Sequence, residues 1–166
     1  MQKHRTETIL GIDPGLAITG FGVITGRGDK QVVRDCGAIL TQATTPFPER
    51  IETIYDEIIK LINRYRPTAV AIEELFFAKN AKTALKVGHA RGVAVLAAQH
   101  RQVPVYEFTP LQVKQALTGY GRASKLQMQK MVTLVLHLRD IPQPDDVADA
   151  LAVAVCCSQT NQYLHG

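Results

Sequence analysis

The stretch Thr8-Ile9-Leu10-Gly11-Ile12-Asp13-Pro14-Gly15, followed by Ile18-Thr19-Gly20-Phe21-Gly22-Val23-Ile24-Thr25, governs how the chain reads. Its first half is an apolar run that stops at an Asp-Pro-Gly turn signal, which predicts a short strand over Thr8–Ile12. The second half alternates well enough for another strand. Gly26-Arg27-Gly28-Asp29-Lys30 then predicts a hairpin connection into a third strand over Gln31–Thr41.

Beyond this opening the periodicity changes. Ile51, Ile54, Tyr55, Ile58, Ile62 and Tyr65 fall on one helical face that ends before Pro67. Ala69-Val70-Ala71-Ile72 is a compact apolar run of the kind buried on both faces of a sheet. A helix is expected from about Ala81 to His100, and a strand over Val103–Phe108. Thr109-Pro110-Leu111-Gln112 has the pattern of a capping box with Pro at the first helical position. Thr118-Gly119-Tyr120-Gly121 breaks that helix, and the next carries Met128, Met131, Val132, Val135 and Leu138 on one side. Pro144-Asp145-Asp146 starts the last helix, which runs through Val155. Five strands, three of them consecutive and the rest alternating with helices, predict a mixed α/β sheet flanked by helices. One domain over residues 1–160 with a short tail at 161–166 is expected, without repeats or linkers.

Composition narrows the class. The chain has 166 residues, 46% hydrophobic and 20% charged, which fits an ordinary globular protein rather than a disordered or fibrous one. No apolar run approaches the roughly 18 residues that span a bilayer, so no membrane association is expected. No signal-peptide core follows the N-terminus, and the three cysteines, two of them adjacent at Cys156 and Cys157, make no disulfide framework. A reduced, cytoplasmic setting is the default.

The net charge of +4 hides an asymmetry. Between Leu75 and Arg139 stand ten bases and a single acid, Glu107. Such a segment suits a polyanion, because each Lys or Arg near a phosphate releases counterions. Charge runs are also commonly just solvated helix faces.

The acids tip that balance. Asp13 ends the first strand, where α/β sheets place their chemistry, although an Asp there also begins a turn. Glu73 and Glu74 close the Ala69–Ile72 strand, and periodicity alone does not choose between them. Asp146 and Asp149 are spaced i, i+3 on one face of the last helix. Asp145 or Asp146 is a natural cap. Asp149, set among Val147, Ala148, Ala150 and Leu151, is costly to bury unless paired or metal-bound. Clustered carboxylates repel one another unless a cation lies between them. Hard oxygen ligands without a His or Cys cluster favour Mg²⁺ or Mn²⁺. Two such ions about 4 Å apart can activate water and stabilise the leaving oxygen of a phosphodiester. Acids of this kind beside a basic surface point to a metal-dependent nuclease.

Several segments carry a family resemblance. Ile9–Gly15 with Thr19–Ile24, Ala71–Asn80, Ala84–Val93, Gln112–Gln115 and Asp146–Ala152 resemble, in order, the motifs of RuvC-type Holliday junction resolvases. The resemblance runs from about Ile9 to Cys157. It implies a ribonuclease H-like fold, a homodimer, two Mg²⁺ ions per subunit with Mn²⁺ as a possible substitute, and paired symmetric nicking of four-way DNA junctions. It also implies delivery by a branch-migration helicase complex. By the same resemblance the metal ligands are Asp13, Glu73, Asp146 and Asp149. Lys114 and Lys125 match positions that hold the scissile phosphate and stabilise developing charge, and Phe76 matches an aromatic that contacts bases at the crossover. Lys79, Lys82, Lys86 and Arg122 are expected DNA contacts. Lys125 lies near a helix start, where backbone N–H groups favour an anion. His89 has no ligand-spaced partner, so a surface or interface role suits it better than metal binding. Ala81, Ala84, Gly88 and Gly92 would let a second helix approach closely, or else pack against this chain's own sheet.

Three rivals are weaker. The Gly-Ile-Asp-Pro-Gly opening also resembles the phosphate motif of actin-like and sugar-kinase ATPases, which need a second subdomain and further phosphate loops. A non-catalytic DNA-binding module would tolerate losing acids, and here all four candidates are present. An RNA–DNA hybrid nuclease shares the chemistry but not the motifs.

Overall fold

The computed structural model describes residues 7–74 and 80–164. Five strands, β1 (Thr8–Asp13), β2 (Ile18–Thr25), β3 (Val32–Leu40), β4 (Ala69–Glu73) and β5 (Val105–Phe108), form one sheet in the order β3-β2-β1-β4-β5. The first three pair antiparallel, whereas β4 and β5 join parallel to β1. Helices α1 (Phe47–Tyr65) and α2 (Ala81–His100) cover one face. Helices α3 (Pro110–Thr118), α4 (Lys125–Val135) and α5 (Asp145–Leu164) cover the other. This is the mixed five-stranded sheet flanked by helices that the sequence predicts.

Strand periodicity sorts the two faces. Leu10, Ile12, Val70 and Ile72 point into the α1–α2 layer with Ile54, Ile58 and Ile62. Ile9, Ala69 and Ala71 point into the layer of α3, α4 and α5. On that second face Gly11 of β1 and Gly20 and Gly22 of β2 carry no side chain, so α5 lies very close to it. A Cβ added to Gly11 would sit 2.0 Å from the Ala150 carbonyl oxygen, and one on Gly20 would sit 2.1 Å from that of Asp146. Only a residue without a side chain allows this approach.

Three boundaries differ from expectation. β5 begins at Val105 because the Val103 N–H donates back to the Ala98 carbonyl at 3.0 Å and Pro104 has no N–H to give a ladder. α4 stops at Val135, where His137 turns to φ 53°, so Leu138 packs on the core from outside the helix. α5 continues to Leu164, into the stretch expected as a tail. The expected capping box and the expected turn at α3 are both present: Thr109 Oγ1 accepts from the Gln112 N–H at 3.1 Å, and Gly119 ends the helix at φ 80°.

Candidate active site

The period-2 rule that sorts the core also aims the acids. On β1, Ile9, Gly11 and Asp13 share the α5 face; on β4, Ala69, Ala71 and Glu73 do. Glu73 is therefore the residue of the Glu73–Glu74 pair that meets the other carboxylates. Glu74 lies past the strand, exposed, with its N–H bonded to the Phe108 carbonyl at 2.7 Å. The register places Asp13 opposite Gly20, the residue over which the first turn of α5 passes. Asp146 and Asp149 on that helix then face Asp13. Negative groups are also favoured at a helix N-terminus.

Electrostatics records how close the four have come. Burial and the carboxylates of Asp149, Asp146 and Glu73 push Asp13 from its ordinary 3.8 up to about 8, helped by a hydrogen bond with Asp146. Glu73 is raised by burial and by Asp149, against the pull of Lys114. Asp149 is raised by burial and by Asp146 and Asp145, while Lys125 pulls it down. Each lysine thus faces a different carboxylate.

Glu73, Asp149, Lys114 and Lys125 line one cavity of about 270 Å³, with Pro110, Val113, Met128 and Ala152 as its apolar wall. Val113 is buried beneath α3 and presents the half-buried Lys114 to the opening. Lys125 is the first residue of α4 and pairs with Asp145 Oδ2 at 2.9 Å. That bond and the neighbouring acids raise its proton affinity. At this helix start Ser124 Oγ accepts from the Gln127 N–H at 3.2 Å in a capping box.

The donor set fits a hard divalent cation. Asp13, Glu73 and Asp149 gain proton affinity from burial and from neighbouring carboxylates, and together with Asp146 they present the hard oxygen donors that a divalent cation takes. Among the described residues no three His, Cys, Asp or Glu side chains form a completed metal cluster. Asp13 and Asp146 are instead drawn together by their hydrogen bond. Cys156 lies buried, with Glu73 among the charges acting on it, and burial pushes its thiol up to about 11, so it is protonated and unreactive.

The remaining expected contacts divide. Lys82 and Lys86 are exposed on the opening turns of α2, whose first turn is capped by Asn80 Oδ1 accepting from the Lys82 N–H at 3.0 Å. Arg122 is exposed in the loop before α4. Phe76 and Lys79 lie outside the described residues. His89 is exposed and sits edge-on to Phe47, ring centres 4.9 Å apart. Among the described residues, nothing lies within 4 Å of a Cβ added at Gly88 or Gly92, so they do not pack on this chain's own sheet. Ala90, Ala94, Ala97 and Ala98 do so instead.

Sequence reasoning did not assign Asp145 beyond a cap, nor Gln129 at all. A nearly buried glutamine in the apolar stripe of α4, one turn after Lys125, was the available signal.

The sheet order, with carboxylates at the ends of β1 and β4 and on the helix crossing them, defines a ribonuclease H-like protein. The family described as crossover junction endodeoxyribonuclease RuvC matches residues 9–157, and the chain belongs to that family. A relative from Alkaliphilus oremlandii bearing that name is 57% identical over 155 residues, covering 93% of this chain and 94% of its own. One from Ruminiclostridium cellulolyticum is 60% identical over 148 residues, covering 89% of each. The solved structure of T. thermophilus RuvC in complex with Holliday junction substrate superposes with a TM-score of 0.90 at 38% identity, over 95% of this chain and 96% of that one.

Proposed function

We propose that this chain resolves four-way DNA junctions by paired, metal-assisted phosphodiester hydrolysis, acting as a homodimer. The observation that carries this reading is the cavity in which Asp149 and Glu73 meet Lys114 and Lys125, beside Asp13 and Asp146. Asp13, Glu73, Asp146 and Asp149 would hold Mg²⁺ or Mn²⁺, two ions per subunit. Bound there, the cations would supply a Lewis acid and an activated water for attack on phosphorus.

The chain's own residues account for the rest. Lys114 and Lys125 stand on the cavity wall where a phosphate would lie, and their charges oppose the negative charge that grows on its oxygens. The exposed Lys82, Lys86 and Arg122 would hold DNA backbone, a term that scales with counterion release. Lys79 and Phe76 belong to the same expected surface, with Phe76 stacking on a base. The acids would then act in turnover and the outlying bases in affinity.

Two symmetric cuts need two centres, and a C2 dimer supplies them. The exposed face of α2 suits the contact. Leu85 is 62% exposed and Leu96 47%, with Gly88 and Gly92 between them leaving open room for a partner helix. A branch-migration helicase complex is the further partner that family membership suggests.

The deciding experiment compares cleavage of a four-way junction, a linear duplex and an RNA–DNA hybrid in Mg²⁺. Junction-selective, symmetric nicking is expected. Efficient hybrid cutting with an intact junction would overturn the substrate assignment.

A further inference from the structure

Lys125 is held as well as placed. Its ammonium donates to Asp145 Oδ2 at 2.9 Å, and Asp145 Oδ1 accepts from Gln129 Nε2 at 3.1 Å. Gln129 is four residues after Lys125, on the same side of α4, and only 9% exposed, so its amide is fixed by the packing around it. Asp145 opens α5, and the residue after it, Asp146, turns toward Asp13. Neighbouring residues on one helical turn thereby face different elements. Neither Asp145 nor Gln129 lines the cavity that Lys125 enters.

We propose that Asp145, itself oriented by Gln129, is a positioning residue that aims Lys125 at the phosphate of the bound strand. The inference rests on the reading of Lys125 as a phosphate-stabilising group. A lysine on an exposed helix start has a flexible four-carbon stem and samples many rotamers. Its Asp145 contact, backed by a packed amide, restricts that sampling before DNA arrives. The ordering is then already done when charge develops on the phosphate, which is where orientation raises a rate.

The test uses the full-length protein with Asp145→Asn, Gln129→Leu, Lys125→Met and the Asp145→Asn/Lys125→Met double variant. Single-turnover cleavage of a four-way junction is measured in Mg²⁺, junction affinity in Ca²⁺, and the Mg²⁺ dependence of the rate by titration. Asp145→Asn should slow the bound-state cut about fivefold, the worth of one partly exposed charged hydrogen bond. Junction affinity should stay level or tighten, because an acid beside a polyanion has been removed. The Mg²⁺ midpoint should not move. Gln129→Leu should give a smaller loss of the same kind, with thermal unfolding confirming that it folds. In the Lys125→Met background, Asp145→Asn should add nothing, since its effect passes through the lysine.

A faster Asp145→Asn enzyme would mean that the pair restrains Lys125 rather than aims it, overturning the proposal. A loss that persists in the Lys125→Met background, or a raised Mg²⁺ midpoint, would assign Asp145 to the metal site instead. Lys125→Met cutting at the native rate would remove the catalytic reading of the lysine, and the proposal with it.

Discussion

Consider Asp13→Asn measured as a stability variant rather than only as an inactive enzyme. The side chain stands at the end of β1 among three other carboxylates, and its proton affinity rises from 3.8 to about 8. The folded protein therefore binds this proton more tightly than the unfolded chain does. Stability contributed by the protonated form is full at low pH and is lost as pH rises between those values. At about 1.4 kcal/mol per pH unit, ionising Asp13 in the native state would cost at most ~6 kcal/mol. Proton sharing with Asp146 and screening by water reduce this, and a net penalty of about 2–3 kcal/mol above pH 8 is a reasonable expectation.

Asparagine keeps the shape and can donate to Asp146 as the protonated acid does, but it never ionises. In EDTA at pH 8.5, Asp13→Asn should melt roughly 5–10 °C above the native protein, given the usual shift per kcal/mol for a chain of this size. The gain should shrink steadily toward pH 4 and vanish there. Mg²⁺ should then stabilise the native protein, by about 1.4 kcal/mol at tenfold excess over Kd, and the variant much less. A variant no more stable than the native protein at pH 8.5, or a gain independent of pH, would refute the account of the acidic cluster.

Glu73→Gln should abolish cleavage while Glu74→Gln retains most of it, and the reverse pattern in a nicking assay would place the wrong glutamate at the site. Lys114→Ala should lower single-turnover rate more than junction affinity, whereas Lys82→Ala and Lys86→Ala should weaken binding and flatten its salt dependence. Gly20→Ala should cost about 1–3 kcal/mol in denaturant unfolding, since its methyl would meet the Asp146 carbonyl at 2.1 Å, and activity should fall further as α5 is displaced. Gly92→Glu should leave monomer stability nearly unchanged, because no described residue lies within 4 Å of the added Cβ, yet shift sedimentation toward the monomer.

Much of the architecture was legible because local signals agreed. The Asp13-Pro14-Gly15 turn, the Ala69–Ile72 run and the Thr109–Gln112 capping box each state one element without reference to the rest of the chain. The choice between Glu73 and Glu74 was not legible from periodicity. It depends on which sheet face α5 covers, and that is a long-range fact. The same holds for Asp145, whose partners Lys125 and Gln129 are 20 and 16 residues away in sequence. The capping box at the start of α4, in which Ser124 and Gln127 bond each other reciprocally, is by contrast a local pattern.

The position of α5 links stability to chemistry. Val147, Ala148 and the run from Ala150 to Ser158 are all buried, so the helix is held down by apolar contact from Val147 to Ser158. Asp146 and Asp149, on the same side of the helix, work against that packing. They are tolerated because Gly11 and Gly20 let the backbone settle to within a carbonyl's reach of the sheet, which is also what brings them to Asp13. A larger residue at either glycine would relieve the repulsion among the acids by moving the helix away. The close contact that concentrates negative charge is therefore the same contact that assembles the site, and a stabilising change that separates the acids should cost activity in proportion.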